Sequence, residues 1–185
     1  MYKLCKTEQS ALRQRELEQG LLKAMMKQRF DEISVSDLCD DLNVPRKSFY
    51  RYFASKEGAL FALLDHTLLK FYDATGPDRY SKGTALGDLD RFFRFWFAHK
   101  DLIEALQNSQ LSGLLVQRAT MLAEKEQLMP GYIKNWTAKA QHMAISFAVC
   151  GLLSMVFQWH QEGYLWSADD MAQMATTLLS KPLIP

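Results

Sequence analysis

The chain has 185 residues, with 22 Lys and Arg against 21 Asp and Glu, for a formal net charge of +1. That balance excludes a globally basic nucleic-acid or membrane binder, so any such footprint has to be local. Apolar content of 48%, five prolines, nine glycines and few β-branched runs predict one or two small, mostly helical domains with a sizeable core.

Residues 1–9 are polar and are expected as a loose tail, with Lys3 and Lys6 within reach of a phosphate or a minor groove. A first helix is predicted over Ser10–Gln28, with Leu17, Leu21, Ala24 and Met25 at i, i+4, i+7 and i+8. Gly20 inside it costs about 1 kcal/mol relative to alanine and suggests close approach of a neighbouring helix. Arg13 and Arg15 either contact phosphates or lie on a solvated face. The three cysteines, Cys5, Cys39 and Cys150, show neither metal-ligand spacing nor a disulfide framework. Cys39 and Cys150 sit in apolar runs and are expected as buried thiols. MYKLCKTEQS has no apolar signal core, and a reduced, cytoplasmic setting is expected.

The most informative stretch is ISVSDLCDDLNVPRKSFYRYFASK, residues 33–56. Val35, Leu38, Cys39 and Leu42 give one apolar helical face, and Ser34 or Ser36 can cap its start. Asn43 can take the left-handed conformation that ends a helix, and Pro45 can open the next at its first turn. At about 100° per residue, Phe49, Tyr52 and Phe53 gather on one arc of that second helix. Arg46, Lys47, Tyr50 and Arg51 gather on the opposite arc as two i,i+4 pairs. Four cations and no carboxylate lie between Pro45 and Lys56, which suits a polyanion whose edges accept and donate hydrogen bonds, such as duplex DNA. Two short helices and a three- or four-residue turn make a helix-turn-helix spanning about 33–53. Direct base contacts are expected from Arg46, Lys47 and Tyr50, and phosphate contacts from Ser34, Ser36, Ser48, Arg51, Tyr52 and Lys56. Tyr52 lies on the aromatic arc, so a core role competes with a phosphate role for it.

These residues resemble the DNA-binding segment of TetR-type transcriptional regulators. The resemblance is carried by the Ile33-Ser34 start, Leu38, the Phe49-Tyr50-Arg51-Tyr52-Phe53 run and Lys56 opening the next helix. Asn43 and Pro45 stand where glycine and a small polar residue are common in that family, and Asp37, Asp40 and Asp41 make the first of the two helices unusually acidic. The resemblance implies an all-α chain with an N-terminal three-helix bundle over residues 1–58. A helical ligand-binding and dimerisation domain over 59–185 would follow. It further implies a ligand-responsive repressor that binds a palindromic operator as a homodimer, paired through its two C-terminal helices. The effector is unspecified and no cofactor is implied.

Beyond the helix-turn-helix, Ser55 is the expected cap of a long fourth helix carrying Leu60, Leu63, Leu64, Leu68 and Phe71. A loop is predicted over Thr75–Gly87. The run DLDRFFRFWFA, residues 88–98, is too aromatic for a single stripe. It either packs densely on two sides or lines a cavity for an apolar or aromatic ligand. For the cavity reading the candidate residues are Phe92, Phe95, Trp96 and His99, with Met143 and Phe147 from a later helix. Helices are predicted over 102–111 and 114–128, a turn at Pro130-Gly131, one long helix over 132–162, and a last helix over 168–180 capped by Ser167. The apolar run 143–157 is shorter than the ~20 residues that span a bilayer and lacks clustered basic flanks, so a helix buried on more than one side is expected instead. Four scattered histidines, with no Gly-rich phosphate loop, HExxH or GxSxG, argue against an enzyme and against a metal site. A ligand-binding or protein-interaction module whose DNA head is weakened by the aspartates is the competing reading.

Overall fold

A computed structural model of the chain describes residues 2–75, 85–125 and 133–181. Most of the loop expected at 75–87, and the turn expected at Pro130-Gly131, lie outside these residues. The described residues form nine α-helices and no strand, an all-α fold. Their one strand-like feature is an isolated antiparallel bridge between Tyr2 and Phe53.

Helix α1 spans Glu8–Met25. It begins two residues earlier than expected because the Thr7 hydroxyl accepts from the Ser10 amide, 3.3 Å away. Leu17, Leu21 and Met25 form its buried stripe. A Cβ at Gly20 would stand 2.4 Å from Cδ1 of Leu42, so α1 approaches the end of the next helix closely there. The segment before α1 is not loose: the Lys3 amide donates to the Tyr52 carbonyl at 3.0 Å, beside the Tyr2–Phe53 bridge.

After a short 3-10 turn at Phe30–Glu32 come α2 (Val35–Asp41) and α3 (Arg46–Tyr52). Ser34 caps α2 by accepting from the Asp37 amide at 3.0 Å. Asn43 closes it with φ 50, the left-handed conformation its short polar side chain tolerates. Pro45 sits at the N-cap of α3, one position before the helix proper. Helix α4 (Lys56–Thr75) starts where Ser55 accepts from the Gly58 amide and runs between α1 and α7.

Helices α5 (Ala85–Ala98), α6 (Lys100–Asn108), α7 (Ser112–Lys125), α8 (Ala138–Gln161) and α9 (Ala168–Ser180) complete the fold. α5 packs on α9, and α8 on α7 and α6. The core is one continuous cluster from Leu17 to Ala175, with Trp96, Trp159 and Phe93 among its largest fully buried side chains. The Ser167 cap expected at the start of α9 is present and is part of a capping box: Ser167 and Asp170 each accept from the other's amide.

Helix α8 departs from expectation twice. It starts at Ala138 because Thr137 caps it, accepting from the Ala140 amide. It is also not buried on several sides. It is long and apolar enough to cross a membrane, yet only 17% of its most apolar window is buried in this chain. Ile145, Leu153, Val156 and Trp159 face inward, whereas Met143 and Phe147 are 63% and 66% exposed. Cys150, expected to be buried, lies on this exposed face.

Candidate nucleic-acid interface

Phe49 and Phe53 are buried beneath α3, and their rings pack on each other at 5.1 Å. This anchors the helix by one side and leaves the other in solvent. Arg46, Lys47, Tyr50 and Arg51 are all exposed. Among the described residues, no ion pair engages Arg46, Lys47 or Arg51. Tyr50 is exposed and rests its ring edge-on against Phe49, 5.6 Å away. The surface therefore presents two guanidinium groups, an ammonium and a phenol on two turns of helix. That set of donors matches phosphate oxygens and guanine O6 and N7.

Ser34 is exposed, and its hydroxyl oxygen already accepts the capping bond, which leaves its O–H as a donor. Ser36 and Ser48 are half-buried. Asp37, Asp40 and Asp41 are exposed on α2, and Asp40 lines an open hollow at the α2–α3 turn with Asn43 and Pro45. Burial pushes the Cys39 thiol up, with Asp40 adding to the shift and Arg46 opposing it.

Two of the expected phosphate contacts are corrected. Tyr52 is 6% exposed and belongs to the core beneath α3. Its hydroxyl lies 3.5 Å from that of Ser10, so it joins α1 rather than facing out. Lys56 points inward as well. Its Nζ donates to the carbonyls of Phe30 (2.6 Å), Ile33 (2.7 Å) and Asp31 (3.2 Å), and it lies 4.6 Å from the centre of the Phe30 ring. All three donors of the ammonium are engaged by the loop before α2.

The candidate ligand residues divide into two groups. Phe92, Phe95, Trp96 and His99 come together with Phe71 of α4 in one aromatic cluster, where the His99 ring stacks on Phe95 at 4.1 Å. Burial lowers the His99 pKa from its ordinary value of 6.5. Trp96 is 1% exposed, and its Nε1 has no partner among the described residues. Met143 and Phe147 do not join this cluster, because they sit on the exposed face of α8. A hollow of about 180 Å³ lies elsewhere, between α8 and α9, lined by Trp159, Trp166, Met171 and Met174 among others.

Sequence reasoning missed a polar joint behind the helix-turn-helix. Asp65 of α4 pairs with Arg118 of α7 and accepts from the Tyr2 hydroxyl, while His66 pairs with Glu18 of α1. These partners are 48 to 63 residues apart in sequence, and no short-range pattern links them.

The described residues thus define an all-α chain headed by a helix-turn-helix whose second helix turns a cationic face to solvent. No family model and no curated protein matches the sequence. Several solved structures are similar to it, among them the following three. The fatty acid degradation regulator FadR from Bacillus halodurans is 16% identical, with 97% of this chain and 98% of that one covered at a TM-score of 0.66. A TetR-family transcriptional regulator from Streptomyces coelicolor is 17% identical, covering 88% and 77% at 0.54. The TetR-family repressor AlkX from Dietzia sp. strain DQ12-45-1b, implicated in biodegradation of n-alkanes, is 18% identical, covering 88% and 90% at 0.54. The chain has the TetR-type regulator fold.

Proposed function

We propose that the protein is a DNA-binding transcriptional regulator, a repressor that grips a palindromic operator as a homodimer and releases it when a small molecule binds. The observation that carries this reading is the exposed cationic face of α3, which no ion pair engages among the described residues, above the buried Phe49 and Phe53. Arg46, Lys47 and Tyr50 read base edges; Ser34, Ser36, Ser48 and Arg51 hold phosphates. Residues 1–58 form the reading head and 59–185 the regulatory part.

One recognition helix covers only a few base pairs. A two-fold dimer sets two such helices about 34 Å apart, one turn of DNA, or at a related spacing. The exposed apolar face of α8, together with Met174, Leu178 and Leu179 on α9, supports a second copy as the covering partner. The aromatic cluster of Phe71, Phe92, Phe95 and His99 supports an apolar or aromatic effector. Of the similar proteins, FadR is a fatty acid degradation regulator and AlkX is implicated in biodegradation of n-alkanes, which favours the apolar choice. Effector binding has to favour a head spacing that misses successive grooves.

Selection of binding sites from a random-sequence duplex pool, followed by footprinting, tests the reading. Arg46→Ala and Tyr50→Ala are expected to lose protection of the selected site and to leave the dimer intact. Loss of one arginine–guanine contact weakens binding by about 1–3 kcal/mol. Unchanged footprints in both variants would refute the assignment.

A further inference from the structure

We propose that Tyr2 is a positioning residue for the recognition helix, tying the end of α3 to the ion pair that joins α4 to α7. Its role rests on the DNA-reading assignment above and adds to it a route from the regulatory helices to the reading face.

Three contacts meet in this one residue. Its backbone pairs with Phe53, directly after α3, and the next amide, that of Lys3, donates to the Tyr52 carbonyl at 3.0 Å. Its ring meets His66 edge-on at 5.7 Å. Its hydroxyl donates to Oδ2 of Asp65 at 2.7 Å. Asp65 is 7% exposed, and its other oxygen accepts from Arg118 Nε at 2.7 Å. The terminal nitrogen of Arg118 also donates to Oδ2, and its guanidinium lies 5.2 Å from the centre of the Phe61 ring. Beside Asp65, His66 lies 3.0 Å from both carboxylate oxygens of Glu18, which is 2% exposed. Consecutive residues of α4 therefore fasten it to α7 and to α1, and Tyr2 bridges that joint to α3.

α3 has seven residues and packs chiefly on α2. A two-turn helix has little stability of its own, so beyond the Phe49 and Phe53 anchor its tilt follows whatever holds its ends. Its C-terminal end is held by the Tyr2–Lys3 pairing. A shift of α7 moves Arg118, Arg118 moves the Asp65 carboxylate, and the bonded phenol carries that displacement to Phe53. Burial, and then the bond to Asp65, pushes the Tyr2 pKa up, so the phenol keeps its proton and remains a donor.

The test uses full-length protein with two probes: the duplex it enriches from a random-sequence pool, and a scrambled duplex of equal length. Tyr2→Phe keeps the ring and the backbone pairing and removes only the hydroxyl. It is expected to weaken binding to the enriched duplex by about tenfold, within the usual range of coupling between sites, while affinity for the scrambled duplex and dimer mass stay unchanged. Arg118→Met, on a regulatory helix, is expected to act in the same direction. The double variant should bind no more weakly than the weaker single one, because both cut one relay. An unchanged ratio of the two affinities in Tyr2→Phe overturns the role of Tyr2. So does an equal loss on both duplexes, or a double variant whose two losses multiply. If Arg118→Met does not fold, the Tyr2→Phe ratio decides alone. Failure to enrich any duplex overturns the DNA-reading assignment and, with it, the relay.

Discussion

Two of the surfaces that the described residues leave uncovered differ in almost every respect. The outward face of α3 is seven residues long, cationic and backed by buried phenylalanines. The outward face of α8 belongs to a helix of 24 residues and carries Met143, Phe147, Cys150 and Gly151. Water solvates the first at no cost. The second leaves large apolar side chains in water, each of which gains roughly 1.5–3 kcal/mol on full burial. Exposure alone therefore says little, and the chemistry of the exposed face decides which kind of occupant it suits. Cations with rigid donor geometry suit a polyanion, whereas an apolar face with small residues suits another copy of itself.

The largest expected effect would break the comparison on the α8 side. Met143→Glu with Phe147→Glu puts carboxylates where a partner helix would seat, and desolvating them costs several kcal/mol. Sedimentation should then show self-association weakened by about 100-fold or more. Operator affinity should fall with it, since two linked heads bind far more tightly than one. A pair variant that sediments like the wild type would remove α8 from the interface.

A smaller effect sharpens the α3 side. Arg51→Ala should reduce the slope of log affinity against log salt by about one unit, the signature of one lost phosphate contact, without changing the preferred sequence. A changed preference with an unchanged slope would make Arg51 a base reader instead.

The smallest effect concerns a region that is covered. Burial lowers the His99 pKa below 6.5, with Lys70 adding to the shift, so the folded state favours the neutral ring. The folded chain then binds fewer protons than the unfolded one at acidic pH. The associated stability is present above pH 6.5 and is lost as pH falls through the depressed value. His99→Asn should flatten the fall in melting temperature below pH 6.5; an equally steep fall would show that other groups carry it.

The α2–α3 unit was legible nearly residue by residue because its signals are short-range. Ser34 caps, Asn43 takes positive φ, Pro45 precedes α3, and the 3.6-residue period separates Phe49 and Phe53 from Arg46 and Tyr50. Helix α8 was less legible for a physical reason. A helix apolar on nearly all sides has no period to mark the face that its own chain covers. Its start was set by Thr137, which a reading based on the apolar run passes over. Lys56 misled because a cation at a helix start, next to a helix with a cationic outer face, resembles a phosphate contact, whereas here it meets carbonyls 23 to 26 residues upstream. Tyr2, Asp65 and Arg118 share no local pattern, and only the folded chain brings them together.

The Lys56 ammonium also limits what can replace it. It is a compact head that points its three hydrogens at separate oxygens converging from Phe30, Asp31 and Ile33. A guanidinium is flat and bulkier and holds its donors in one plane. Arginine, the usual conservative exchange, would therefore keep the charge at this position and still be the wrong shape for the seat.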